Sequence, residues 1–125
     1  MREIKFRAWI GESWVYSESI SKDNDVWRIL NHEDDNWWAC LEPQQYTGLK
    51  DKNDKEIYEG DILKIVSKFE LREDVQKQAV TYTEGFFSTD EWALFELLRN
   101  RKDGKQTFEV IGNIYENPEL LEESK

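Results

Sequence analysis

The chain has 125 residues, with 17 Lys plus Arg against 27 Asp plus Glu, a net charge of −10, and one cysteine. That length suits a single domain over 1–125, with room for subdomains at 1–45 and 46–125. No stretch nears the roughly 18 apolar residues of a membrane span, no signal-peptide core opens the chain, and a lone thiol makes neither a disulfide framework nor a cysteine zinc site.

The expectation is a cytoplasmic protein without a membrane segment. Its acidity repels phosphate backbones and makes nucleic acid a disfavoured partner. Only 38% of residues are hydrophobic, yet they include six Trp, five Tyr and six Phe. Rings bury large areas per residue, so a chain this polar still fills a core.

Residues 3–9 alternate, with Ile4, Phe6 and Ala8 on one face and Lys5, Arg7 and Trp9 on the other. That is the period of a half-buried strand. Gly11-Glu12 offers a turn, and Trp14-Val15-Tyr16 returns as a second strand with Trp14 and Tyr16 sharing a face. Residues 17–36 read as a long polar connection holding one short apolar piece, Val26 to Leu30. Trp37 to Leu41 reads as a further strand, and adjacent Trp37 and Trp38 point to opposite faces. One of the two can then be core while the other is exposed or lies under a loop or a neighbouring subunit.

Tyr46 to Val66 carries the clearest local signal. A polar loop at 50–55 separates Tyr46-Thr47-Gly48-Leu49 from Glu56-Ile57-Tyr58, Glu59-Gly60 turns, and a strand follows over 61–66. Asn53-Asp54 stands where a type I′ turn prefers Asn-Gly, so another turn type is admitted. Further strands are predicted over 78–83, 86–88 and 107–112. Ser88 and Glu91 form a capping-box pattern, which predicts a helix starting near Thr89 and ending at Asp103-Gly104. Trp92, Leu94, Phe95, Leu97 and Leu98 are its apolar face. Asn117-Pro118 opens a short terminal helix. The predicted class is mainly β (α+β), with an SH3-like barrel element in the C-terminal half, one amphipathic helix and a short C-terminal one.

Three segments resemble the YopX family of phage and prophage proteins. They are Met-Arg-Glu-Ile-Lys-Phe-Arg-Ala-Trp at 1–9, Tyr-Thr-Gly-Leu-Lys-Asp-Lys-Asn-Asp-Lys-Glu-Ile-Tyr-Glu-Gly-Asp-Ile at 46–62, and Val-Ile-Gly-Asn-Ile-Tyr-Glu-Asn-Pro-Glu-Leu-Leu at 110–121. The chain departs from the family pattern at Ile10-Gly11 and at Asp54, both at predicted turns. The resemblance implies a phage-encoded, largely β homo-oligomer. It carries no assigned activity, and no catalytic residue comes with it.

Residue chemistry offers little towards catalysis. His32 and Cys40 are the only imidazole and thiol. Cys40 beside Trp37-Trp38-Ala39 reads as core filler, and His32 lies in a polar run that reads as a solvated loop. Asp23-Asn24-Asp25, Glu33-Asp34-Asp35 and the 51–56 loop all fail the calcium-loop pattern. No catalytic, cofactor-binding or metal residue is therefore assigned, and the expectation is a non-enzyme without cofactor.

Aromatic surface is the better lead. Trp14, Tyr16, Trp37 and Trp38 are the candidate partner contacts, since Trp and Tyr dominate interface hot spots. The expected role is an oligomeric interaction protein acting on a host or phage protein. The alternatives are a nucleic-acid-associated SH3-like barrel and an acidic DNA mimic that inhibits a host DNA-binding protein.

Overall fold

A computed structural model describes residues 4–122 as twelve strands and two short helices, so the predicted mainly β class stands. The chain divides into two compact units, Met1–Gly48 and Leu49–Lys125. No helix is long and apolar enough to cross a membrane among the described residues.

In the first unit, β1 (Phe6–Trp9) and β2 (Trp14–Ser17) form the predicted hairpin, with Trp9 opposite Trp14 and Arg7 opposite Tyr16. Residue 3 of the predicted 3–9 strand lies outside the described residues, and Ile4 and Lys5 precede the strand rather than belonging to it. β6 (Gln44–Lys50) pairs on the other side of β1 through Gln44 and Gln45. The expected half-wet face of β1 is corrected here. Arg7 is only 6% exposed, because its guanidinium lies 4.3 Å from the Trp14 ring centroid and its Nε donates to Gln44 Oε1 at 2.9 Å.

The long connection expected over 17–36 is instead a meander of three strands. β3 (Ile20–Asp23), β4 (Val26–Asn31) and β5 (Asn36–Cys40) pair in that order. Asn24 and Asp25 both take positive φ, 50° and 64°, and so make the two-residue turn without glycine. Asn and Asp tolerate that region because their short side chains bond locally. Asp35, at φ 59°, closes the next turn, where Asp34 Oδ1 accepts from Asn36 N. Ala8, Val15 and Ile29 form the core of this unit, with Ile10, Ile20 and Cys40 packed against them. The core-filler reading of Cys40 holds, and burial pushes its thiol pKa up.

In the second unit, β7 (Glu56–Tyr58) follows the 51–55 loop, and β8 (Asp61–Phe69) pairs along its whole length with β9 (Arg72–Ala79). β12 (Gln106–Asn113) lies on the other side of β8, with a register shift between Val110 and Gly112. Gly112 is required there by close approach, because a Cβ would sit 2.5 Å from Asn117 Oδ1. β10 (Thr81–Thr83) and β11 (Phe86–Ser88) are joined by Glu84-Gly85, both at positive φ.

The sheet order β12–β8–β9 is open, and no closed barrel forms among the described residues. The expected SH3-like element therefore reduces to antiparallel sheet. Residues 72–77, unassigned by periodicity because they are charged, are strand and pair antiparallel with β8. The core lies between this sheet and α1 (Leu94–Lys102), and joins Ile57, Leu63, Ile65, Val80, Leu94, Leu97 and Phe108.

α1 starts five residues after Thr89, a second correction. Thr89 closes a turn instead, its N–H donating to Trp92 O at 2.7 Å while its Oγ1 accepts from Trp92 N at 3.1 Å. Ser88 bridges to Ala93 as strand. Glu96 Oε1 accepts from Ala93 N at 3.0 Å and caps the helix at its true start. The end at Asp103-Gly104 is as predicted, with Gly104 at φ 73°. α2 (Glu119–Glu122) follows Pro118, as predicted.

Candidate functional site

Three of the four sequence-predicted contact residues converge on one cleft in the first unit. Trp14, Tyr16 and Trp38 line it together with Ile10, Glu12 and Glu33, and its volume is about 420 Å³. β2 supplies Trp14 and Tyr16 on one face because their cross-strand partners are Trp9 and Arg7. Trp9 and Trp14 meet edge to face, with centroids 5.2 Å apart. Trp38 comes from β5, where it stands opposite Ile29 on the core side of the meander. Its indole Nε1 donates to Asp34 Oδ2 at 3.0 Å, which fixes the ring beside the β4–β5 turn.

Trp37 goes to the other face, opposite Leu30. Neither of the tandem tryptophans takes the core place that alternation allowed one of them, since Trp37 is 48% and Trp38 41% exposed. β5 has one neighbour, β4, and its partners on the core side are already filled by Ile29 and Ile20. Val26, Leu30, Trp37 and Ala39 thus share an outer face whose charged member on β4 is Arg28.

His32 was expected in a solvated loop, and it is exposed in the turn after β4. Its partners were not legible. Nε2 donates to Glu18 Oε2 at 2.8 Å and lies 3.3 Å from Ser17 Oγ, while Ser17 Oγ donates to the same Glu18 oxygen at 2.9 Å. A Ser–His–acid relay needs serine on one ring nitrogen and the acid on the other. Here both oxygens address Nε2, so no proton path from Ser17 to the carboxylate runs through the ring. Cys40 stands opposite Trp27 at the far end of the β4–β5 hairpin, four residues or about 13 Å of strand from Asn36. His32 and Cys40 therefore form no dyad. Among the described residues no three His, Cys, Asp or Glu side chains gather as metal ligands.

The hydrogen bond from His32 is the main cause that draws the Glu18 carboxyl down from the ordinary 4.5 to about 2, with Ser17 adding to it. A depressed carboxylate favours the folded arrangement above its unfolded value and loses that preference as pH falls from 4.5 through about 2. Carbon-13 titration of the Glu18 carboxyl should therefore give a midpoint near 2, moving up towards 4.5 in His32→Ala. A midpoint unchanged by that substitution would remove His32 as the cause.

The second unit presents another aromatic surface, where Phe86 and Phe95 meet at 6.3 Å beside Asp90 and Glu91. Sequence reading placed Phe95 in the core face of the helix, but it is exposed. The later start of α1 leaves Leu94 and Leu97 as its buried residues.

The YopX protein family matches residues 5–122, nearly the whole chain. The chain is similar to the crystal structure of protein EF1440 from Enterococcus faecalis, at 25% identity and a TM-score of 0.58, over 97% of this chain and 99% of that one. No curated protein matches the sequence.

Proposed function

We propose, from the premise that this chain belongs to the YopX family, that it is a phage-encoded, non-enzymatic interaction protein that self-associates through β5. On this reading it works in the host cytoplasm on a host or phage protein.

The observation that carries the reading is an edge strand without protection. β5 ends the order β3–β4–β5, and Asn36-Trp37-Trp38-Ala39-Cys40 holds no charge. Edge strands that avoid pairing carry charges, as β9 does with Arg72, Glu73, Asp74 and Lys77. After Cys40 the edge is closed, because Leu41 N donates to Trp9 O at 3.0 Å.

The occupant that fits β5 is a second copy of β5. A two-fold antiparallel pairing centred on Trp38 sets Trp38 against itself and Trp37 against Ala39, with no like charges opposed inside the strand. At its ends Asp34 of one copy meets Glu42 of the other, so added salt strengthens the contact.

The family segments support a structural rather than a catalytic use of their polar residues. Asp61, only 1% exposed, accepts from Tyr58 N at 2.7 Å. Asn113 Oδ1 accepts from both Tyr115 N and Glu116 N. Asp51 collects three backbone donors. These side chains hold the joints of the second unit through their bonds to backbone N–H groups.

Light scattering tests the reading. The wild type should show a multiple of 15.0 kDa that grows with salt at micromolar concentration. Trp37→Glu should weaken the association roughly a hundredfold, since it removes a buried ring and adds like charges at the contact. A mass of 15.0 kDa in low and high salt alike overturns it.

A further inference from the structure

The second unit sorts its charge to two ends. Residues 78–98 hold Glu84, Asp90, Glu91 and Glu96 and no Lys, Arg or His. Residues 68–72 and 99–105 together hold six Lys or Arg against Glu70 and Asp103. The acidic stretch includes β11 and the start of α1, and Gln78 Nε2 of β9 donates to Glu91 Oε1 there at 2.9 Å. The basic stretches meet at the other end, where Lys68 N donates to Lys105 O at 2.8 Å. From Arg72 to Gln78 is six residues of strand, about 20 Å. The two ends therefore cannot touch within one chain. We infer that they meet between copies, with the β8–β9 hairpin tip of one molecule docked in the aromatic groove beside α1 of the next. This contact uses the second unit alone and does not depend on pairing through β5.

The tip is a projecting apolar group with a cation beside it. Phe69 and Arg72 face each other across a two-residue turn, Glu70-Leu71, in which Glu70 takes φ 42°. Such turns favour Gly, Asn or Asp, which are content in water. Leu71 instead stands 101% exposed, so its own chain buries none of it. Phe69 is also exposed, and the Arg72 guanidinium lies 5.6 Å from its ring centroid.

The groove matches the tip in chemistry and in sign. Phe86 and Phe95 form its apolar wall at 6.3 Å, and Phe95 is 62% exposed although it stands on a helix. A volume of about 380 Å³ accepts Leu71 and the edge of Phe69. Asp90, Glu91 and Glu96 lie in the lining, which contains no Lys or Arg, so Lys68 and Arg72 arrive at charges of opposite sign. Trp92 lines the groove as well, and its Nε1 is a buried donor without an acceptor, which makes its indole signal a reporter of occupancy. Tip and groove are different patches on the two molecules. The contact is therefore head-to-tail and builds a ring or a filament, not a two-fold dimer.

Two variants each keep one half of the contact. Leu71→Asp spoils the tip and suits a turn, while Phe95→Asp spoils the groove and suits the first turn of a helix. Both are made in the full chain carrying Trp37→Glu, so that pairing through β5 is absent. The Leu71→Asp chain, labelled with nitrogen-15 and intact in its groove, is titrated with unlabelled Phe95→Asp chain, which has an intact tip. The Trp92 indole signal should shift and saturate at one to one. It should stay still when unlabelled Leu71→Asp chain is added instead. Arg72→Glu in the tip chain should weaken binding about tenfold, and Asp90→Arg in the groove chain should recover most of that loss. Dispersed indole signals report that each variant is folded. No shift with the complementary chain, an equal shift with the matched chain, or a loss that Asp90→Arg fails to recover would each overturn the head-to-tail contact.

Discussion

Asp51→Ala should unfold the second unit at much milder denaturant, with a loss of about 3–5 kcal/mol. Asp51 is buried, and its carboxylate is shared among three backbone donors. Oδ1 accepts from Asn53 N at 2.8 Å and Lys55 N at 2.9 Å, and Oδ2 accepts from Val110 N at 2.8 Å. The first two bonds shape the 51–55 loop, where Asp51 N also donates to Lys55 O. The third ties that loop to β12, 59 residues away in sequence. Alanine removes both acceptor oxygens, and with them all three bonds, and leaves the donors to find water. A loss on that scale is a large share of the roughly 5–15 kcal/mol that holds a domain folded. Asp51→Asn keeps one acceptor oxygen and should cost about half as much.

The same residue sets an acid limb. Burial pushes the Asp51 pKa up, but the N–H bonds from Val110, Lys55 and Asn53 outweigh it, and the carboxyl titrates below the ordinary 3.8. Its contribution is therefore complete above 3.8 and is lost as pH falls below that value. Urea midpoints of the wild type should fall on acidification through this range. Those of Asp51→Asn should be flatter, and parallel curves would assign the acid sensitivity to another group.

Phe108→Ala should cost a further unit of about 3–5 kcal/mol in the same part of the molecule. The ring is 1% exposed, stands on β12 opposite Ile65 of β8, and packs with Leu94 and Leu97 of α1. Arg101 of α1 lies 4.6 Å from its centroid, so truncation also removes a stacking contact for the helix. Phe108→Leu keeps most of the volume and should cost about 1–1.5 kcal/mol. Denaturant midpoints at constant slope decide this. A loss under 1 kcal/mol for the alanine variant would mean the sheet and helix collapse onto the vacated space.

Periodicity was legible wherever one element's own residues decided the outcome. The β1–β2 hairpin, the strand after Gly60, the stop at Asp103-Gly104 and the helix after Pro118 follow from alternation, positive φ or a missing N–H, all properties of a few adjacent residues. The β3–β4 turn was missed because Asn24-Asp25 reaches the left-handed region without the glycine that signals it. The β9 strand was missed because an edge strand can carry charge on both faces. Helix α1 was placed too early because Ser88 and Thr89 could cap a helix or close a turn, and the bridge from Ser88 to Ala93 settled which.

The candidate site divides the same way. Ring content and the single faces of Trp14 with Tyr16 were readable, since strand alternation places them. That Trp37 and Trp38 are both exposed was not, because it depends on β5 having one neighbour and on the core side being filled from β3 and β4. Glu18 gained its partner only where the chain after β2 meets His32 after β4. The sequence by itself determined the family, the β class and the acidity. Only the tertiary structure decided which groups meet across the first unit, because a contact such as that of His32 with Glu18 joins residues 14 positions apart that no local period links.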